Sequence, residues 1–281
     1  SVKPKNYDYT CTPNVEEDEE EEDANSESVD SCIMHNCYTS LLDTLGLQNA
    51  KLISETKLFV HELRRITVLW DELWIGTLQH NLNEVKKQVA LLEKEIEKTK
   101  LNLNLYENEK QLFIKEQHNI FFRRILYSLE LTKLITSDSP ETPHEEWFQN
   151  NFSQLIDELI GCIKQPENVY EPSTILYHYQ NLLQLIRKRS FISNSYKLQM
   201  QDISPKLALL EGTVIPLPGS NVTSNVTLRK VFKTVSVLHT YTKPKKIVFI
   251  GSDGRNYTYL FKGHEDLHLG ERIMQFLSVV N

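Results

Sequence analysis

The stretch with the most evident chemistry is His264-Glu265-Asp266-Leu267-His268. Two histidines one helical turn apart with a glutamate between them suit a zinc hydrolase: the imidazoles hold the metal and the carboxylate activates its water. No third ligand is evident after the motif, and Lys262-Gly263 directly before it place it at a strand end instead of inside a continuous helix. The same stretch allows a second chemistry. Lys262 closes a run of apolar and aromatic residues, and Glu265 follows three positions later. A strand-end lysine paired to a carboxylate on the next helix is how kinases neutralise nucleotide phosphates, with the glutamate fixing the lysine rotamer. Taken alone, a Lys with a nearby Glu is more often an ordinary surface pair. Cys32-Ile33-Met34-His35-Asn36-Cys37 holds half the ligands of a zinc site without a matching second pair, so these read as loop cysteines.

The elements that must position such residues follow from composition and periodicity. With 281 residues, 40% of them apolar, the chain can build one large domain or two ordinary ones. Glu16 to Asp23 carry eight negative charges against a formal net charge of −7, so the rest is close to neutral and charge argues neither for nor against nucleic acid. No apolar run approaches the roughly 18 residues that span a bilayer, and the first residues lack the hydrophobic stretch of a secretory signal. A soluble intracellular chain is expected. Four scattered cysteines suit a reducing compartment, and the sequons at Asn151, Asn221, Asn225 and Asn256 are read as chance. The chain begins without Met and stops after an apolar helical run, which suggests a piece of something longer.

Residues 1–50 are expected to form an acidic, largely disordered linker, because they lack the apolar surface to offset the entropy of ordering them. An acidic tail docking on a basic cluster such as Arg187-Lys188-Arg189 is the alternative. Residues 51–200 read as an antiparallel helical bundle. From Leu52 to Ile135 the only Gly or Pro is Gly76, and Leu63, Ile66, Leu69, Trp70, Leu73, Trp74 and Leu78 recur at helical spacing. Trp70 and Trp74 are expected to be buried anchors of this core. Val85, Val89, Leu92, Ile96, Thr99, Leu103 and Tyr106 then step by four and three, with Phe113 one heptad later. This admits a dimeric coiled coil, but an intramolecular hairpin is preferred, because Phe113 to Leu134 supplies a second amphipathic helix. Thr142-Pro143 opens a further helix with Pro at its first position, and Ile175 to Arg189 make another. Residues 201–281 bring β-branched and aromatic runs, Val226 to Leu238 and Ile247 to Phe261, the latter turning at Gly251-Ser252-Asp253-Gly254. The fold class is therefore mainly α, a helical bundle with a long hairpin followed by a small β-element.

At this point a resemblance becomes specific. Lys262-Gly263-His264-Glu265-Asp266-Leu267 followed by Glu271-Arg272-Ile273-Met274-Gln275 resembles the start of the kinase domain in the phosphatidylinositol 3-kinase-related protein kinases. Ile203 to Leu207 with Ile215 to Gly219 is similar to the segment those kinases carry before their first strands, and Glu62 to Trp74 is similar to the first helix of their rapamycin-binding-type helical domain. Thr67 to Trp74, the heptad insertion and Glu141-Thr142-Pro143-His144-Glu145 with Trp147-Phe148 look most like the branch of the family that acts in nonsense-mediated mRNA decay.

The resemblance implies a parent serine/threonine kinase that transfers phosphate from ATP, with magnesium, to the up-frameshift RNA helicase. Regulatory subunits would be further partners, with no direct nucleic acid and no membrane, in the cytoplasm and also the nucleus. It implies that residues 201–281 begin a truncated kinase N-lobe, and that Thr240, Tyr241, Thr242 and Lys243 form the phosphate-covering loop. Lys262 would be the nucleotide lysine and Glu265 its helical partner. The family usually has Asp where this chain has Gly270. The catalytic-loop Asp and Asn and the metal-binding Asp-Phe-Gly would lie beyond Asn281, so this segment alone is expected to be inactive, with the helical part acting as a gate at the cleft. The competing expectation is a non-enzymatic helical interaction module.

Overall fold

The computed structural model describes residues 35–41, 44, 46–47, 49–190, 197–218, 226–238, 240, 242–263 and 267–280. The chain divides into two compact units, Ser1–Ile53 and Ser54–Asn281. In the first, residues 35–41 are helical and the acidic run and Cys32 lie outside the described residues. Everything below concerns the second, apart from residues 50–53, which open the helix that enters it.

Helix α1 spans Ala50–Thr67 and α2 Trp70–Leu101. The sequence offered no Gly or Pro between them, yet the helix breaks at Val68-Leu69, where Leu69 turns extended at φ −75° and ψ 157°. The break has a packing reason: Leu69 is buried against the sheet described below, whereas Trp74, five residues on, is buried in the bundle. Glu72 stabilises the new helix start by accepting the Leu69 N–H at 2.9 Å. The α2 helix then turns back through Asn102 to Tyr106 into α3, Glu107–Thr136, whose start repeats the device, Glu109 accepting the Tyr106 N–H at 2.8 Å. Helix α4 is Pro143–Lys164, opened as expected by Thr142, whose hydroxyl accepts the Glu145 N–H at 3.2 Å, and α5 is Ser173–Arg189.

Helices α2 to α5 pack in a ring, α2 against α3 and α5, and α4 against the same two, which is an antiparallel four-helix bundle. At 32 and 30 residues, α2 and α3 outlast their 22- and 17-residue neighbours. The hairpin is intramolecular: Val85, Val89, Leu92 and Ile96 are buried together with Ile114, Phe122, Ile125 and Leu129. The heptad pattern does not continue as the sequence suggested. Leu103 and Tyr106 are exposed at the turn, 95% and 81%, because the chain reverses there, and Ile114 replaces Phe113 in the seam. Trp74 is fully buried and donates its indole N–H to Thr136 Oγ1 at 3.0 Å, but Trp70 is only half-buried, edge-on to Phe148.

The β-element is one antiparallel sheet. Strand β1 is Lys197–Gln199, followed by the short helices α6 Met200–Ile203 and α7 Pro205–Ala208. Then come β2 Leu228–Val231, β3 Thr234–Val237, β4 Lys245–Gly251 and β5 Asn256–Phe261. The run Val226 to Leu238 is split because Lys233 turns its carbonyl to accept the Met200 N–H at 2.7 Å. Phe232 N–H still reaches Val248 O at 2.9 Å, so β2 and β3 line one edge of β4 in succession. Strand β5 pairs with the other edge through the expected Gly251 to Gly254 turn, Gly254 taking φ 77°. Strand β1, unforeseen in the sequence, pairs with β3. Helix α1 shares its core with this sheet: Phe59, Ile66 and Leu69 pack with Val235, Ile247 and Phe249, the Phe59 and Phe249 rings 5.5 Å apart. Helix α8, His268–Val280, closes the described chain and exposes Leu269, Ile273, Met274, Phe276 and Leu277. No helix of the described residues is long and apolar enough to cross a membrane.

Candidate functional site

The β4–β5 pairing decides which candidate residues can meet. Lys245 opposes Phe261 at the end of the hairpin away from its turn. Lys262 follows Phe261, and the loop from Leu238 to Pro244 enters Lys245, so Thr240, Thr242, Lys243 and Lys262 lie at one end of the sheet. Tyr241 and Glu265 fall outside the described residues, as do His264 and Asp266 of the zinc pattern; His268 opens α8. Gly270 lies in the first turn of α8, where an added Cβ would meet nothing within 4 Å, so the Asp usual in the family fits sterically.

The loop is closed by its own backbone. Leu238 N–H donates to Pro244 O at 2.9 Å, Thr240 N–H to Leu238 O at 2.9 Å and Lys243 N–H to Thr240 O at 3.2 Å. Lys243 sits at φ 45°, a left-handed conformation that a residue with a Cβ adopts at a cost of about 1–2 kcal/mol. With the Thr240 and Lys243 N–H groups engaged, the side chains of Thr240, Thr242 and Lys243 still supply two hydroxyls and an ammonium to an anion. Lys262 adds a second cation, an exposed one. Two cations and two hydroxyls at one sheet end suit phosphate, and nothing in that set is a nucleophile activated by a base.

A buried lysine stands behind this end and was missed in the sequence. Lys245 is 1% exposed, and its ammonium donates to the Thr67 carbonyl at 2.9 Å and the Glu72 carboxylate at 2.5 Å. The signal was present: strand periodicity puts Lys245 on the inward face with Ile247 and Phe249, while Lys246 points out. Behind it a second ionic cluster links α1 to α4. Arg65 contacts Glu62 at 3.0 Å, Glu141 at 2.8 Å and Glu145 at 3.2 Å, and Lys206 reaches Glu141 at 2.6 Å. The hydrogen bonds from Lys206 and Arg65 hold the Glu141 carboxyl down to about 2. His61, Glu62 and Glu141 are the one trio among the described residues whose ligand atoms converge as for a metal, but Arg65, Ser204 and Lys206 already occupy the two carboxylates.

Asp71, His144 and Ser190 have the residue types of a nucleophilic triad in the wrong order. Asp71 stands in the middle, accepting from Ser190 Oγ at 2.6 Å and facing His144 Nε2 at 3.1 Å, with all three buried. Burial pushes the Asp71 carboxyl up, but the bonds from His144 and Ser190 outweigh it and leave it below the ordinary carboxylate value. This is a clasp joining α2, α4 and the end of α5.

No family model matches the chain. It is 40% identical over 255 residues to the serine/threonine-protein kinase SMG1 of Danio rerio, an alignment covering 90% of this chain and 7% of that protein. It is 36% identical over 252 residues to the serine/threonine-protein kinase Smg1 of Drosophila melanogaster, covering 87% and 7%. The serine/threonine-protein kinase TOR2 of Saccharomyces cerevisiae is 25% identical over 248 residues, covering 86% and 9%. The chain thus spans less than a tenth of the length of these relatives.

Proposed function

Because the chain belongs to the phosphatidylinositol 3-kinase-related protein kinase family, we propose that it is the stretch of a serine/threonine protein kinase of nonsense-mediated mRNA decay that joins a helical gate to half of an ATP site. What supports this reading is that Thr240, Thr242 and Lys243 lie with Lys262 at one end of the sheet. In the bound state Lys262 and Lys243 would neutralise phosphate charge, the Thr240 and Thr242 hydroxyls would donate to phosphate oxygens, and Glu265 would orient Lys262. Tyr241 would contribute from the same loop. ATP supplies the transferable phosphoryl group, and magnesium the charge neutralisation that a lysine pair cannot complete. The magnesium ligands and the catalytic base would come from other parts of the parent protein, so this stretch by itself binds ATP weakly and transfers nothing.

The antiparallel bundle would act as the gate, narrowing access to the cleft and selecting substrate by position. The substrate is the up-frameshift RNA helicase, the further partners are the regulatory subunits of the decay kinase, and the location is cytoplasmic and nuclear. One observation favours a second reading, a helical interaction module: Phe113, Ile120, Tyr127 and Leu134 recur every seven residues on the exposed side of α3. The two readings separate in the full-length protein. Lys262→Ala should abolish phosphotransfer while leaving the fold intact, and Glu265→Gln should weaken it less, since it orients the lysine without touching phosphate. Full activity in Lys262→Ala would leave the interaction module as the better account.

A further inference from the structure

The turn between α1 and α2 touches the sheet at two points, and each flanks one of the groups assigned to nucleotide. Lys245 comes directly after the Thr240 to Pro244 loop, and its buried ammonium is bonded to Thr67 O and Glu72. Glu72 holds the same turn closed through the Leu69 N–H, so one carboxylate serves both the turn and the lysine. Beyond the end of the adjacent strand, Gly263 comes directly after Lys262. A Cβ there would lie 2.6 Å from Val68 Cγ2 and 3.2 Å from Thr67 O, so glycine is required for the close approach.

Neither contact belongs to ordinary strand pairing. An ammonium buried on a sheet face is costly unless paired, and Lys245 takes its two bonds from one turn of a different element. Because β4 and β5 are hydrogen-bonded neighbours, with Lys245 opposite Phe261, the two contacts fix the end of the phosphate-covering loop and the base of Lys262 against the same few atoms. The carboxylate involved sits in the first turn of α2, the 32-residue helix that runs through the bundle. The Gly263 contact falls on Thr67 and Val68, the end of α1 and the link into that helix, so a shift of this turn would reach both groups.

We propose that the Thr67 to Glu72 turn is a positioning element for the nucleotide site: Lys245 with Glu72, and Gly263 against Val68, set the spacing between the phosphate-covering loop and Lys262, and so let the helical bundle tune ATP affinity. This rests on the nucleotide reading of Lys262. The residues are positioning residues, since none of them reaches the phosphate.

The test uses the full-length protein that carries this chain, with two readouts: equilibrium binding of a fluorescent ATP analogue, and the split between KM for ATP and kcat. Lys245→Met and Glu72→Gln should each weaken analogue binding and raise KM about tenfold, with kcat within about twofold. Lys245→Arg should retain most of the affinity. Gly263→Ala should weaken binding similarly, and adding Val68→Ala should restore most of it, because the severe 2.6 Å collision is removed and only the milder approach to Thr67 O is left. A purely structural role would lower the active fraction, and with it kcat, without moving KM or the analogue affinity. Unchanged analogue affinity in Lys245→Met at a wild-type melting midpoint would overturn the proposal. If Lys245→Met does not fold, the Gly263 and Val68 pair decides alone: equal loss in Gly263→Ala and in the double variant would count against it. Wild-type binding and activity in Lys262→Ala would sink the nucleotide reading itself, a result distinguishable from failure of the positioning element.

Discussion

Replacing Trp74 by Ala should be among the most damaging single changes in the bundle, and replacing Trp70 should not. Trp74 is completely buried between α2 and α3, and its indole N–H is bonded to Thr136 Oγ1. Truncating a buried aromatic costs about 3–5 kcal/mol through lost transfer energy and the cavity left behind. Loss of the hydrogen bond adds about 1 kcal/mol. The Thr136 hydroxyl is not stranded, because it also donates to Thr132 O at 3.1 Å, which keeps that increment near the low end. Trp70, half-buried and edge-on to Phe148 at 6.1 Å, should cost about 1–2 kcal/mol, from partial area and one aromatic contact. Trp74→Phe should fall between the two. Urea unfolding followed by circular dichroism at 222 nm gives the comparison, provided the denaturant slope is unchanged between variants. A loss below about 1.5 kcal/mol for Trp74→Ala, or an equal loss at Trp70, would refute the division between a bundle anchor and a boundary residue.

Two further perturbations probe charge and strain. Burial pushes the His118 imidazole below its ordinary value of 6.5, only partly offset by the bond from Nε2 to Ile163 O at 2.7 Å, so the fold holds it neutral. Its contribution is complete above about pH 6.5 and is lost as pH falls through that value toward the lower folded one; His118→Gln should therefore lose less of its melting midpoint between about pH 7.5 and pH 5.5, and equal losses would contradict the assignment. At Lys243, φ 45° predicts that Lys243→Asn stabilises the chain by about 0.5–1 kcal/mol, since Asn tolerates the left-handed region, while ATP analogue binding weakens for want of the ammonium; a lowered midpoint would remove strain as a property of this loop.

The parts of the fold that were legible in the sequence are those set by period. Val85 to Thr99 repeat at heptad spacing, and their seam is the hairpin seam. Periodicity is blind to where such a helix reverses, so Leu103 and Tyr106 continued the pattern into the turn; the cue lay in Asn102 and Asn104, whose side chain and N–H bond at 3.0 Å. The break at Val68-Leu69 was hidden because neither Gly nor Pro makes it: two cores pull Leu69 and Trp74 apart, a tertiary cause that no local window contains. Of the candidate site, the order of Thr240, Thr242, Lys243 and Lys262 along the chain was readable, and strand register then brings them to one end of the sheet. Lys245 looked like one cation in a basic run because burial of a charge depends on partners, here Glu72 and Thr67 O, that lie more than 170 residues away.

The central claim is that Lys262 meets nucleotide phosphate, and the direct measurement is its chemical reactivity in the full-length protein. Acylation of lysines by an amine-reactive ester, quantified residue by residue by mass spectrometry, should label Lys262 readily, because it is exposed at the strand end. Saturating magnesium-ATP should protect Lys262 strongly and Lys243 in part, with Lys246, on the outer face of the sheet, labelled as before. Labelling of Lys262 that is indifferent to ATP, in protein active enough to phosphorylate a peptide, would contradict the account.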